Sequence, residues 1–313
     1  MTDAIATLTI NPALDLSTAV EELRPFSKLR CAGERRDAGG GGITVARVAR
    51  RLGAAPVAVY PAGGPIGAFL ARQVAAEGIE SVVVPIAGDT REDVTVTETK
   101  TGRQFRFVMA GPHLAEAEWR RCLQEFAARL AFHSFAVASG SLPPGAPGDF
   151  YAHVARAAKS SGARLVLDCS SAPLRAALDA GVYLIKPNLR ELRGLTNQPL
   201  PDQDAWLGAA RTLVDSGRVE IVALSLAEEG ALLVTRERAW RAHAPPVTPV
   251  SSVGAGDSFL GALVFGLAGG EAPPDAFRRA VAAGTAALLA RGTELCRTVD
   301  VDALARAVAI AEV

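Results

Sequence analysis

Four residues late in the chain set one carboxylate behind three small residues: Gly254-Ala255-Gly256-Asp257, inside SSVGAGDSFLGALVFG. Small residues let successive backbone N–H groups converge on one point, and the helix expected from near Asp257 adds the positive end of its dipole. That is an anion hole for negative charge developing in a transition state. A carboxylate beside it can take the proton of a hydroxyl. A base plus an anion hole is the minimum for phosphoryl transfer to an alcohol, where positioning and electrostatics carry the catalysis. The simpler reading, Gly-Asp as an ordinary helix N-cap, stands beside it.

A second cluster, Gly39 to Gly42 in DAGGGGITVARVARRLG, also precedes a helix. Consecutive glycines let the backbone approach a ligand closely at a helix N-terminus suited to anions. The cluster is not a dinucleotide fingerprint, because Thr44 stands where the third glycine of G-x-G-x-x-G belongs. None of the four lysines (Lys28, Lys100, Lys159, Lys186) follows a glycine, so the G-K-[ST] of a P-loop is absent, as is the protein-kinase D-F-G. A bound nucleotide must be held by another design.

The elements that position these loops follow from periodicity. AIATLTI, VAVY, FAVASG, RLVLD, VYLIK and EIVALS read as buried strands, separated by amphipathic stretches such as ITVARVARRLGA, where Val45, Val48, Ala49 and Leu52 share one helical face. Alternating β and α segments with unalternated apolar strands predict a mainly parallel sheet covered on both sides. Such sheets bind ligands at the carboxyl ends of their strands. EDVTVTETKTGRQFRFVMAG instead alternates strictly and predicts a β-hairpin with one apolar face, Val94, Val96, Phe105, Phe107 and Met109. A hairpin needs something to pack on, so it serves as a lid, a dimer surface or both. Residues 12–36 could add strands to the same small sheet. No linker or repeat divides the 313 residues, so one domain, 1–313, with a β lid formed by about 12–36 and 91–110, is expected.

The totals exclude several classes. Lys+Arg and Asp+Glu both number 33, a balance that argues against a nucleic-acid partner. The cysteines, Cys31, Cys122, Cys169 and Cys296, form no C-x-x-C pair, so reduced thiols are expected rather than a zinc site or disulfides. Neither a signal peptide nor a run of about 20 apolar residues is present, and a cytoplasmic protein without a membrane span is expected. The four histidines lie in no motif.

Taken together, SVGAGDSFLGAL, the N-terminal GGGGITVARVARRLGA, the N-x-x-E of LIKPNLRELRGL and the strand pair ALSLAEEGALLV resemble the ribokinase-like (PfkB) family of sugar kinases, in order and over nearly the whole chain. The resemblance implies a three-layer α/β/α sandwich with a mostly parallel central sheet and a small β-sheet lid. TLTINPALD, SKLR, DTRED, FRFVMAG and SGSLPPG look like the branch that acts on sugar phosphates. Two types within it, 1-phosphofructokinases and tagatose-6-phosphate kinases, commonly carry a lysine where Gly41 stands here. The all-glycine cluster and RGTELC look most like the ribokinase-type 6-phosphofructokinases. One departure is Thr44, which replaces the usual asparagine and loses its amide.

The resemblance then implies roles. Asp257 is the base for the sugar's C1 hydroxyl, and Gly254, Ala255 and Gly256 hold the γ-phosphoryl oxygens. Asp15, Gly40, Gly41, Thr44 and Ser139 contact the sugar, and Lys28 and Arg91, with Arg30 and Arg106 as further candidates, bind its phosphate. Arginine suits a bidentate grip and lysine a point contact. Lys186, Asn188, Ser225, Gly230, Ser252 and Gly254 border ATP. Asn188 and Glu191 organise Mg²⁺, largely through water, which suits a cation reluctant to dehydrate. The carbonyls of Ser251, Val253, Ala290 and Gly292 are the places for an activating K⁺. A homodimer through the lid is implied as well. The rival from another class is a catalytically inert sugar-phosphate sensor on the same fold.

Overall fold

The computed structural model describes residues 4–290 and 292–313. The strands among them are β1 (Ile5–Leu8), β2 (Ala13–Val20), β3 (Ala32–Gly39), β4 (Val57–Ala62), β5 (Glu80–Pro85), β6 (Arg91–Glu98) and β7 (Gln104–Phe107). They continue with β8 (Phe135–Ser139), β9 (Arg164–Asp168), β10 (Val182–Ile185), β11 (Val219–Ser225), β12 (Ala231–Val234), β13 (Ala239–His243) and β14 (Ala309–Glu312). The helices are α1 (Gly41–Arg51), α2 (Gly64–Ala76), α3 (Glu116–Leu130), α4 (Phe150–Ser161) and α5 (Ser171–Ala180). After them come α6 (Leu189–Thr196), α7 (Gln203–Asp215), α8 (Ala255–Ala268), α9 (Pro273–Ala287) and α10 (Thr298–Ala305).

Ten strands form one sheet in the order β14-β13-β12-β11-β10-β9-β8-β1-β4-β5. All pairs from β5 through to β11 are parallel, and β12, β13 and β14 extend the sheet antiparallel. Neighbouring residues of a strand point to opposite faces. Ala6 and Leu8 join Phe126, Phe150 and Val154 on the α3 and α4 side, while Ile5 joins Val45, Leu260 and Leu263 on the α1 and α8 side. Both faces are covered, so both parities of each strand are apolar, as the unalternated runs required. Full burial of one such side chain contributes about 1.5–3 kcal/mol. Helix α8 is apolar around most of its surface because it lies between α1 and α9. This is the three-layer arrangement expected, and among the described residues no helix is long and apolar enough to cross a membrane.

The remaining strands form a separate sheet, β3-β2-β6-β7. Its outer pairs are antiparallel and its central pair, β2 with β6, is parallel. The strands fall within 13–39 and 91–107, close to the expected lid. The expected hairpin is present as β6 and β7, and its two faces have different surroundings. Asp93 and Thr95, on one parity of β6, are buried and line the cavities, whereas Phe107 and Met109 are each 49% exposed; on the other parity Val96 and Glu98 are buried too. The Asp93 and Thr95 parity of β6 faces the mouth of the large sheet, and the opposite face is buried at Val96 and open at Phe107 on β7. Strand β7 also ends at Phe107, two residues short of the alternation, because the Met109 N–H turns aside to donate to Asp93 Oδ1 at 2.9 Å.

Candidate active site

The carboxylate at the mouth of α8 is not a cap. The N-cap is Gly254, held left-handed at φ 78°, and Asp257 stands one turn in, at the third helical position. Among the described residues the N–H groups of Ala255, Gly256 and Asp257 find no acceptor in the protein, and the first N–H to do so is that of Ser258, on Gly254 O at 2.8 Å. Three donors therefore point out of the helix start beside one carboxylate, the pattern of an anion site.

Two adjoining cavities meet there. The larger, about 550 Å³, lies over the carboxyl ends of β8 and β9 under the lid and includes Asp15, Gly40, Thr44, Arg91 and Ser139. The smaller, about 380 Å³, includes Lys186, Ser252 and Gly256. Asp257, Gly254, Val253, Arg106, Asp168 and Glu191 border both. A group bound in one cavity and a group bound in the other would touch at Asp257.

Electrostatics at this seam favour a base of moderate strength. Burial pushes the Asp257 carboxyl up to about 7, the Asp168 charge adds to the rise, and Lys186 and Arg106 oppose it. Asp257 keeps partial access to the cavities, so it can exchange its proton with what binds there. Burial also raises Asp15 to about 6 against the pull of Arg106. Lys186 Nζ stands 3.4 Å from Asp168 Oδ2. Burial works against the Lys186 charge, but Asp168, Asp257 and Glu191 outweigh it and hold the amine above its usual range. Asp168 was not foreseen. Its signal was available, since it is the last residue of a parallel strand in RLVLD, where ligands bind.

The other expected residues divide. At φ 101° Gly40 opens α1, and a Cβ on Gly41 would lie 2.8 Å from Ser139 Cβ and closer still to its Oγ, so this backbone sits hard against the cavity floor. Thr44, buried at 5% exposure, lines the larger cavity. Arg91 binds the carbonyls of Met109 (2.6 Å) and Asn11 (3.0 Å) and pairs with Asp93 at 3.3 Å, while its buried Nε has no partner. Arg106 lines both cavities and makes no ion pair among the described residues. Lys28 and Arg30 are exposed on the loop between β2 and β3 and line neither cavity.

Asn188 and Glu191 hold each other. Asn188 is the N-cap of α6: its Oδ1 accepts from the Glu191 N–H and Glu191 Oε2 accepts from the Asn188 N–H, both at 2.9 Å. The N-x-x-E signature is a capping box, which leaves only one Glu191 oxygen for the cavities. Ser225 forms a bridge with Asn188 beneath it, and Gly230, at φ 92°, is required by the turn between β11 and β12; neither lines a cavity. Ser251 Oγ stands 3.1 Å from Gly292 O and accepts from the Val253 N–H at 3.2 Å. Leu288 O receives the N–H groups of Val250 and Ser251, which draws the end of α9, close to Ala290, onto the same loop. Among the described residues no three His, Cys, Asp or Glu side chains are grouped to hold a metal.

The whole chain resembles known enzymes. The profile of the pfkB family carbohydrate kinases matches residues 8–299. An ATP-dependent 6-phosphofructokinase isozyme 2 of Mycobacterium tuberculosis is 44% identical over 95% of this chain and 88% of its own length. A 1-phosphofructokinase of Xanthomonas campestris is 36% identical over 83% of each chain. The crystal structure of Escherichia coli phosphofructokinase-2 in complex with potassium superposes with a TM-score of 0.92 at 39% identity, covering 97% of this chain and 98% of that one. With a profile match over residues 8–299, relatives that align over most of both chains and the same architecture, the chain belongs to the pfkB family of carbohydrate kinases.

Proposed function

We propose that the protein is an ATP-dependent 6-phosphofructokinase, moving the γ-phosphoryl group of ATP to the C1 hydroxyl of fructose 6-phosphate. The carrying observation is Asp257 at the border of both cavities, beside three unsatisfied N–H groups at the start of α8. The sugar occupies the larger cavity. Asp15 accepts its hydroxyls, and the unpartnered Arg91 Nε with Arg106 receives its phosphate. The triphosphate lies in the smaller cavity beside Lys186 and Ser252. Asp257 takes the C1 proton, and a side chain ionising near 7 is a base matched to neutral pH. The C1 oxygen bonds to the γ-phosphorus as the bond to ADP breaks, and the proton stays on Asp257. The N–H groups of Ala255, Gly256 and Asp257 face the charge that builds on the phosphoryl oxygens.

Mg²⁺ bound with the nucleotide would neutralise phosphate charge, held through water by the free oxygen of Glu191 with Asp168 nearby. K⁺ would rest on the carbonyls of Ser251, Val253, Ala290 and Gly292. A homodimer through the outward face of the lid belongs to the same reading, supported by the exposed Phe107, Val108 and Met109.

A second reading, 1-phosphofructokinase, is favoured by the Xanthomonas relative. Against it stands the close approach of Gly41 to Ser139, which leaves no room for the lysine those enzymes commonly carry. Product analysis by phosphorus-31 NMR tests the choice of hydroxyl: the reading requires the C1 phosphate of fructose 1,6-bisphosphate to grow from ATP and fructose 6-phosphate, and it fails if no new phosphomonoester forms.

A further inference from the structure

Two loops carry the anion hole, and both are tied to the lid. The first, 250–253, runs directly into Gly254. The second, 292–296, touches it: a Cβ on Gly254 would lie 2.8 Å from Leu295 Cδ2. Leu295 holds φ 63°, a left-handed backbone that leucine adopts only where its surroundings impose it.

Leu295 itself is packed in the core beside α8 and α9, and two residues earlier the same loop is held by the inner face of the lid. Asp37 near the end of β3, 6% exposed, accepts from Thr293 Oγ1 at 2.6 Å. The same carboxylate takes both arms of Arg35 at 2.7 and 2.9 Å, with the Arg47 guanidinium 3.7 Å away. Burial opposes its charge, but Arg35 and Thr293 outweigh burial and hold the carboxyl below its usual range. It is therefore a firm acceptor, and hydrogen bonds to a charged group are the strong ones. On the other side Gln104 of β7 reaches Ser251, whose Oγ stands 3.3 Å from Gln104 Oε1. Gln104 and Arg106 lie two apart on one strand and share a face, so a tie at Gln104 also sets where Arg106 stands between the cavities. Ser17 of β2 packs on Gly292, where a Cβ would lie 2.8 Å from Ser17 Oγ.

We propose that Asp37 and Thr293 are positioning residues for phosphoryl transfer: through Leu295 they fix Gly254 at the anion hole, while Gln104 steadies the opposite side through Ser251. The lid thus sets the geometry of the anion hole as well as roofing the sugar cavity. Phosphoryl transfer is the kinase reading above, and the proposal rests on it.

The test uses Thr293→Val, which keeps the shape and loses the donor, and Thr293→Ser, which restores it. For whichever phosphosugar the wild type phosphorylates, Thr293→Val lowers kcat about tenfold or more, as loss of one charge-assisted bond implies. Both KM values stay within about threefold of wild type, since ground-state contacts are kept. Thr293→Ser recovers most of kcat. Without any ligand, amide hydrogen exchange in 251–258 and 292–296 speeds up while that of β8 to β10 is unchanged. Exchange needs no substrate, so if the wild type turns over no phosphosugar the kinase reading falls and exchange alone judges the tie. Unchanged exchange in both segments overturns the proposal. So does a loss of kcat that serine does not recover, or faster exchange throughout the chain, which would mark Thr293 as a residue of general stability. If Thr293→Val does not fold, Gln104→Leu gives the same readouts from the other end.

Discussion

Replacing Asp257 by asparagine should make the protein nearly inactive and, at alkaline pH, more stable. The wild-type carboxyl ionises near 7 in the folded chain against an ordinary 3.8. Between those values the folded chain keeps a proton that the unfolded chain has released. Native stability therefore falls as pH rises from about 4 to about 7, and the cost is full above 7. A gap of about three pH units sets a ceiling of about 4 kcal/mol at 1.36 kcal/mol per unit. Because Asp257 opens onto the cavities, water there reduces this, and a gain of about 1–3 kcal/mol is expected. Asparagine is neutral throughout and carries no such cost. Lys186 keeps Asp168 as its partner at 3.4 Å, so no buried amine is stranded. In urea unfolding Asp257→Asn should gain stability at pH 8 and match the wild type near pH 4. In a coupled ADP-release assay, turnover should fall about 10²–10⁴-fold, the worth of a positioned base, with sugar binding near normal. A variant less stable at pH 8, with binding and turnover falling together, would refute the reasoning and make Asp257 structural.

The log of kcat/KM should rise with pH and level off above about 7, with a steeper limb below about 6 where Asp15 also takes up its proton; Asp168→Asn, which removes a charge that raises Asp257, should move the upper bend to lower pH. Gly41→Ala should raise the sugar KM at least about tenfold, because its Cβ presses on Ser139, with an unchanged circular dichroism spectrum; an unaltered KM would mean the floor gives way. Phe107→Asp should yield monomers by light scattering if the outward face of the lid joins two copies, and a wild type that is itself monomeric would end that idea.

How far the sequence reaches can be read from particular residues. The central strands were legible because a sheet covered on both faces needs apolar side chains of both parities, and Ile5 and Leu8 supply them to different layers. Asp257 was legible only in company: its loop alone reads equally well as a helix N-cap, and the family motifs along the rest of the chain tipped the reading toward a base. The hairpin was only half legible: alternation reveals two faces but not which one is turned to the site, and here Asp93 and Thr95 turn toward a polar cavity. N-x-x-E announced Asn188 and Glu191 but not that they cap each other. Asp168 had only its place at the end of a parallel strand to announce it, Asp37 and Gln104 carry no local signature, and the partners of the three lie 18, 256 and 147 positions away (Lys186, Thr293 and Ser251). Lys28 matched by motif, yet within one chain it stands on an exposed loop.

The most direct test of the central claim is a comparison of kcat/KM, by coupled ADP release, for fructose 6-phosphate, fructose 1-phosphate, tagatose 6-phosphate and free fructose. The account predicts that fructose 6-phosphate is preferred and that free fructose, with nothing for Arg91 and Arg106 to hold, is turned over poorly. Preference for fructose 1-phosphate or tagatose 6-phosphate, or no ADP release with fructose 6-phosphate, would contradict it.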